Sequence, residues 1–258
     1  MAAEPADVSP VDVSDDAVLG GRLVLRQPLR GHRFGHDAIL LAAAVPASPG
    51  EHAVDFGAGV GAAGLALARR VAGLSVTLVE FDPDLTALAA GNATRNELGE
   101  RVRAVRLDVE ASAAAFVEAG LPPASAAHVL MNPPFNPGSY QASPDRARRV
   151  AHVGSGETLG RWLGAAARLL VASGVVTLIW RADGLSDVLS ALAPEFGSVS
   201  VLPVYPKPNT AAIRVLVRAI KGAQAPLQLL PGLLLADGSN KPTELAEAVL
   251  RGNSALMQ

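Results

Sequence analysis

Between residues 53 and 180 short apolar runs alternate with amphipathic segments, and the first run opens directly into a glycine-rich turn. AVDFG (53–57) reads as a strand, and GLALARRVA after the turn as a helix. VTLVEFD (76–82) is a second strand ending in acids. A helical stretch over 83–96 follows, with Asp84 in an early turn. RVRAVRLD (101–108) alternates like a third strand, 111–119 suggests a helix, and AAHVLMNPPF (126–135) is a fourth strand stopped by two prolines. The segment 136–156, rich in Pro, Gly, Ser and Arg, reads as a long loop. TLGRWLGAAARLL is an amphipathic helix with Ser173-Gly174 as its expected stop, and VVTLIW is a fifth strand. Strand–helix alternation predicts an α/β fold with a mostly parallel sheet covered on both faces. SVSVLPVYP and AAIRVLVRAIK, joined by KPNT, predict a terminal hairpin and one antiparallel strand at or near the edge.

The flanks are simpler. Residues 1–18 lack periodicity and are expected to be disordered. A single domain over 19–258 follows, with 19–50 as a segment covering the site. LGGRLVLRQPLR (19–30) resembles a short hairpin or edge strand, and the next residues a short helix with Asp37 in its first turn. A weak last helix is expected near 242–250.

Composition removes several classes of chemistry. The 258 residues include no cysteine, which excludes disulfides, zinc–thiolate sites and cysteine nucleophiles. His32, His36, His128 and His152 show no metal-ligand spacing, so no metal is expected. No uncharged apolar window is long enough to span a membrane, and the first residues do not read as a signal peptide, so a cytoplasmic protein is expected. Basic and acidic side chains number 22 and 24, a formal charge of −2, which argues against a protein that coats nucleic acid without specificity. Two local arginine groups stand out, Arg22, Arg26, Arg30 and Arg33, and Arg146, Arg148 and Arg149.

Asp55, Gly57, Gly59 and Gly61 lie directly after the first strand. Glycines there let the backbone turn tightly and approach a ligand. Glu80 closes the next strand, about twenty residues on, where an acid in a Rossmann-type site accepts ribose hydroxyls. That pattern is shared by dinucleotides and S-adenosylmethionine. Asp55 favours the latter, because a carboxylate ahead of the first glycine offers a counter-charge to an ammonium group, and no pyrophosphate needs holding. Asp108, at the end of the third strand, has two readings: an acceptor for adenine amino hydrogens, or the N-cap of the helix that follows. Asp82 likewise either lines the pocket or caps the next helix.

Asn132, Pro133, Pro134 and Phe135 end the fourth strand, at the edge where open α/β sheets bind ligands. Two prolines stiffen the backbone and remove two donors, leaving carbonyls free to point inward. The Asn132 oxygen and a carbonyl near Pro133 then accept both hydrogens of one planar NH2 group, and Phe135 stacks on a planar substrate. A plain rigid turn is the bland alternative.

With these motifs in hand, the chain resembles the Asn-Pro-Pro-Phe/Tyr class of S-adenosylmethionine-dependent methyltransferases, and within it the bacterial tRNA1(Val) (adenine(37)-N6)-methyltransferase family. The likeness runs from about residue 19 to 221. The resemblance implies a Rossmann-like class I methyltransferase with a seven-stranded sheet. It places Asp37, with Leu40 and Leu41, beside the cofactor, Asp55, Gly57, Gly59 and Gly61 at its methionine end, Glu80 on the ribose and Asp108 on the adenine side. It assigns Asn132, Pro133, Pro134 and Phe135 to the target amine, and substrate contacts to the loop with Ser143, Pro144, Arg146, Ala151 and His152. The implied substrate is RNA, a tRNA adenine N6. Relatives of the class also modify rRNA, DNA adenine or release-factor glutamine.

Overall fold

The computed structural model describes residues 12–30, 33–133 and 155–257. In chain order the strands are β1 (Val13–Val18), β2 (Leu23–Pro28), β3 (His52–Phe56), β4 (Ser75–Glu80), β5 (Val102–Arg106), β6 (Ala126–Met131), β7 (Leu170–Arg181), β8 (Phe196–Tyr205), β9 (Arg214–Lys221), β10 (Gln228–Leu229) and β11 (Leu233–Leu234). The α-helices are α1 (His36–Ala44), α2 (Ala62–Arg70), α3 (Pro83–Arg95), α4 (Ala113–Glu118), α5 (Ser155–Leu169), α6 (Leu185–Leu192) and α7 (Glu244–Leu250).

The main sheet runs β10-β8-β9-β7-β6-β3-β4-β5, with β11 also pairing β8. Seven long strands match the expected sheet, and two two-residue strands from the tail extend it to nine. From β3 the chain steps outward through β4 to β5, then returns to lay β6 on the other side of β3, parallel to it. The connection therefore reverses direction between β3 and β6. A crevice opens at such a reversal, beyond the carboxyl ends of the two strands.

Helices cover both faces because each strand is apolar on both sides. One core gathers Leu40, Leu41, Leu65, Leu67, Leu78 and Leu130 beneath α1 and α2. The other gathers Phe56, Phe116, Leu163, Leu178, Val188 and Val217 beneath α4, α5 and α6. Among the described residues no helix is long and apolar enough to cross a membrane.

Two details depart from the sequence expectations. Val13–Val18, within the stretch expected to be disordered, is a strand that pairs antiparallel with β2 from Val13↔Pro28 to Val18↔Leu23. Its acids make it cohere: Asp15 pairs with Arg26 and Asp16 with Arg33, each at 2.8 Å. Ser173-Gly174 does not end a helix. α5 stops at Leu169, Leu170 already pairs with Ala126, and the Ser-Gly pair forms an irregularity inside β7 before Val175 meets His128. The burial of Leu169 and Leu170 outweighs the local turn chemistry. The expected antiparallel strand near the edge is β9, which lies between β7 and β8, next to the outermost of the seven long strands.

Candidate active site

Gly57 and Asn132 each sit one residue beyond a cross-strand pair, Phe56↔Met131, so they flank the reversal point on adjacent strands. Parallel neighbours lie about 4.8 Å apart. The glycine turn and the Asn-Pro turn are thus neighbours because of the register of β3 and β6.

The turn itself has positive φ at Gly57 (66°), Gly59 (57°) and Gly61 (88°). Gly57 needs its lack of a side chain for a second reason: a Cβ there would lie 2.6 Å from the Trp162 ring, which α5 lays against the turn. Trp162 also meets Phe56 edge-on, with ring centroids 6.5 Å apart. Sequence reasoning missed Trp162, since nothing local ties a helix after the long loop to a turn far upstream.

Gly61 is the N-cap of α2 and brings no side chain to the helix's unpaired amides. Asp55 supplies the acceptor from the strand, taking the Gly64 N–H at 2.8 Å through Oδ2. Gly64 is what permits this close packing, because a Cβ on it would lie 2.3 Å from Leu78 and 3.1 Å from Asp55 Oδ2. Burial raises the Asp55 carboxyl to about 7, the Gly64 amide opposes that rise, and the negative charge of Glu80 adds to it.

Glu80 is buried, and both its oxygens are engaged: Oε2 accepts from Gly59 N and Oε1 from Asp82 N, each at 2.9 Å. Desolvation pushes its pKa upward against those two amides, and nearby Asp82 pushes in the same direction. Glu80 therefore joins the glycine turn to β4, while Asp82 caps α3 through the amides of Asp84 (2.9 Å) and Leu85 (3.3 Å). Of the two readings of Asp82, capping is the one with contacts.

Asp108 does not cap α4. Ser112 does so, accepting from Ala115 N at 3.3 Å, and Asp108 instead accepts from Glu110 N at 2.9 Å in a tight turn. It remains exposed beyond the end of β5. Asp37 stands in the first turn of α1 and pairs with Arg214 of β9 at 2.8 Å, a partner the sequence did not disclose.

Among the described residues seven buried side-chain atoms lack a hydrogen-bond partner, and Asn132 Oδ1 is the one that stands just past the carboxyl ends of β3 and β6. The others are Ser125 Oγ, His128 Nδ1, Thr177 Oγ1 and the Nε of Arg69, Arg70 and Arg218. Beside Asn132 and its unpaired oxygen, Pro133 is buried as well. Leaving such an acceptor unpaired costs about 1–3 kcal/mol, a strain that persists where a ligand is meant to relieve it. Pro134 and Phe135 lie outside the described residues, as do Ser143, Pro144, Arg146, Arg148, Arg149, Ala151 and His152.

Of the leader arginines, Arg22 bonds the carbonyl of Arg251 and the Asn253 side chain, Arg26 and Arg33 are held by the acids of β1, and Arg30 is exposed. His128 is buried and bonds Glu51 at 2.8 Å at the opposite end of β6 from Asn132, and burial lowers its pKa. Among the described residues no cluster of His, Asp or Glu has the makings of a metal site.

The chain matches the family described as methyltransferase small domain over residues 33–203. A tRNA1(Val) (adenine(37)-N6)-methyltransferase from Porphyromonas gingivalis is 30% identical over 160 residues, which are 60% of this chain and 61% of that protein. A release factor glutamine methyltransferase from Chlorobaculum tepidum is 32% identical over 162 residues, 60% of this chain and 53% of that one. The chain thus spans between half and about three fifths of the length of these curated relatives. Among solved structures, a protein from Agrobacterium tumefaciens described as a predicted O-methyltransferase superposes with a TM-score of 0.74 at 30% identity, covering 86% of this chain and 99% of that one. The sheet order and the glycine turn are those of the class I methyltransferase fold, and the chain belongs to the methyltransferase small-domain family of S-adenosylmethionine-dependent enzymes.

Proposed function

We propose that this protein transfers the methyl group of S-adenosylmethionine to the nitrogen of a planar amine, and that the amine is adenine N6 in RNA, with tRNA the substrate. The observation that carries the reading is the buried, unpartnered Asn132 Oδ1, one strand away from the glycine turn.

The residues present suit the donor. Gly59 has open space where a Cβ would stand, Asp55 and Glu80 set two buried carboxyl groups beneath the turn, and Asp108 offers an exposed carboxylate past β5. In this reading Asp55 and the turn hold the methionine end, Glu80 the ribose, and Asp108 the adenine. When bound, the donor supplies an electrophilic methyl group on a sulfonium.

The work of the chain is then positioning and charge placement. An exocyclic amine delocalises its lone pair into the ring and attacks poorly. Asn132 Oδ1 and the Pro133 carbonyl, accepting its two hydrogens, favour a pyramidal nitrogen whose lone pair points toward the donor side. Positive charge grows on the amine as the bond forms, so both acceptors bind the transition state more tightly than the ground state. Phe135 stacks on the target ring. No strong base is needed until the charged product releases its proton.

The experiment is to incubate the protein with methyl-labelled donor and RNA from a strain lacking the gene, then digest the RNA and identify the labelled nucleoside by mass. N6-methyladenosine in the tRNA fraction is the expected product. Label confined to protein or to small molecules removes the RNA assignment.

A second reading is methylation of a protein glutamine, whose amide is also a flat NH2. The pairing of Arg22, Arg26 and Arg33 with groups of the chain itself, at its surface, and the formal charge of −2 favour it. Label transferred to a release factor and absent from RNA would decide for it.

A further inference from the structure

Helix α3 turns two buried asparagines, Asn92 and Asn96, toward the free edge of β2. The Asn92 amide accepts from Arg26 N at 2.8 Å and donates to Arg26 O at 2.9 Å. Asn96 does the same to Val24, accepting from its N and donating to its O at 2.9 Å each. Residues two apart on a strand direct their backbone groups to the same edge, so the two side-chain amides act as a substitute neighbouring strand.

Each amide has one more N–H, and there the two part ways. Asn96 Nδ2 donates within its own helix, to Asn92 O at 2.8 Å. Asn92 Nδ2 donates to Val60 O at 3.0 Å, inside the glycine turn. The turn is therefore gripped from two directions: Glu80 takes the Gly59 N–H and Asn92 the Val60 carbonyl. With both ends of that dipeptide held, the backbone of the turn is fixed before any ligand arrives.

We propose that Asn92 is a positioning residue for the cofactor turn, tying Val60 to the N-terminal hairpin so that docking of the hairpin and affinity for the methyl donor are coupled. The inference rests on the reading that this turn holds S-adenosylmethionine. A turn released from Asn92 must be ordered anew at each binding event, which weakens the donor without altering the reacting groups.

Asn96 provides the matched control. Asn92→Ala and Asn96→Ala each remove two bonds to β2 and one other, so both lower the melting temperature by similar amounts. Only Asn92→Ala frees Val60. Titration calorimetry with S-adenosylmethionine should show Asn92→Ala weakening Kd about ten-fold, the value of roughly one hydrogen bond. Asn96→Ala should stay within about two-fold of wild type, and kcat at saturating donor should change little in either. Should Asn92→Ala not fold, Asn92→Ser makes the same comparison with a smaller loss of polar contact. Equal shifts of Kd in the two positions, or no shift at Asn92, overturn the proposal. Failure of the wild-type protein to bind the donor at all would instead remove the reading beneath it.

Discussion

Asn132 Oδ1 and the Asp55 carboxyl are both buried beside the same crevice, and their environments set different tasks. Asn132 Oδ1 lacks a partner, so removing it relieves a desolvation cost in the free protein and removes an acceptor in the transition state. Asn132→Ala should therefore bind the donor within about two-fold of wild type and turn over at least about 100-fold more slowly, as measured by single-turnover rates against equilibrium binding. Asp55 has a partner but an unfavourable site, and burial lifts its carboxyl from 3.8 to about 7. Because the folded chain holds this proton more tightly than the unfolded one, its contribution to stability is complete below pH 3.8 and is lost as pH rises through about 7. With Asp55 at the methionine end, as proposed, the same titration reaches the ligand. A neutral Asp55 offers no counter-charge to an ammonium group, so donor affinity should increase as pH is raised from 6 to about 7.5. Affinity that stays flat over that interval in calorimetry would mean the ammonium is held elsewhere. Asn132, Glu80 and the glycines were legible in the sequence because each belongs to a local motif at a strand end. The Asp37–Arg214 pair and the Trp162 contact with Gly57 were not, since they join residues brought together only by the sheet.

The helices and strands follow their caps and patterns closely, and the exceptions show which force wins. α3 begins where the sequence places it, with Pro83 at its first position and Asp82 accepting two amides. Replacing Asp82 with Ala should cost about 1 kcal/mol in urea unfolding, the usual loss for a helix N-cap. A null effect would show that Glu80, which already takes the Asp82 amide, holds the start of α3 by itself. β2 is legible as an edge strand or part of a hairpin within 19–30, but β1 is not, because VSDDAV has no apolar run of its own. Its order comes from pairing with β2 and from ion pairs to Arg26 and Arg33. β2 in turn is finished by a helix rather than by another strand, and no sequence pattern marks asparagines that serve as strand edges.

The alternation of strands and helices was enough to specify a mostly parallel sheet with helices on both faces, but not the position of β9, because strand order depends on which edges remain free once β7 is in place. Charge also acts at this level. Arg22, Arg26 and Arg33, in and beside the hairpin, are already bonded within the chain, which leaves these three less available to a phosphate backbone. RNA binding should accordingly show a shallow dependence on salt, equivalent to about three phosphate contacts or fewer. Arg26→Ala and Arg33→Ala should leave that slope unchanged in filter-binding titrations. A steep slope lowered by either variant would mean that the hairpin opens to meet RNA.

The insertion of β9 between β7 and β8 has a consequence for synthesis. During elongation, β7 emerges long before residues 214–221 do, and its outer edge must wait uncapped while β8 is made and held apart. Such an edge invites pairing with a neighbouring nascent chain. Polypeptides released before residue 221 should gather in inclusion bodies more than those released just beyond it, in which β7 is paired and the open edge on that side is that of β8, which β10 and β11 partly cover in the whole chain.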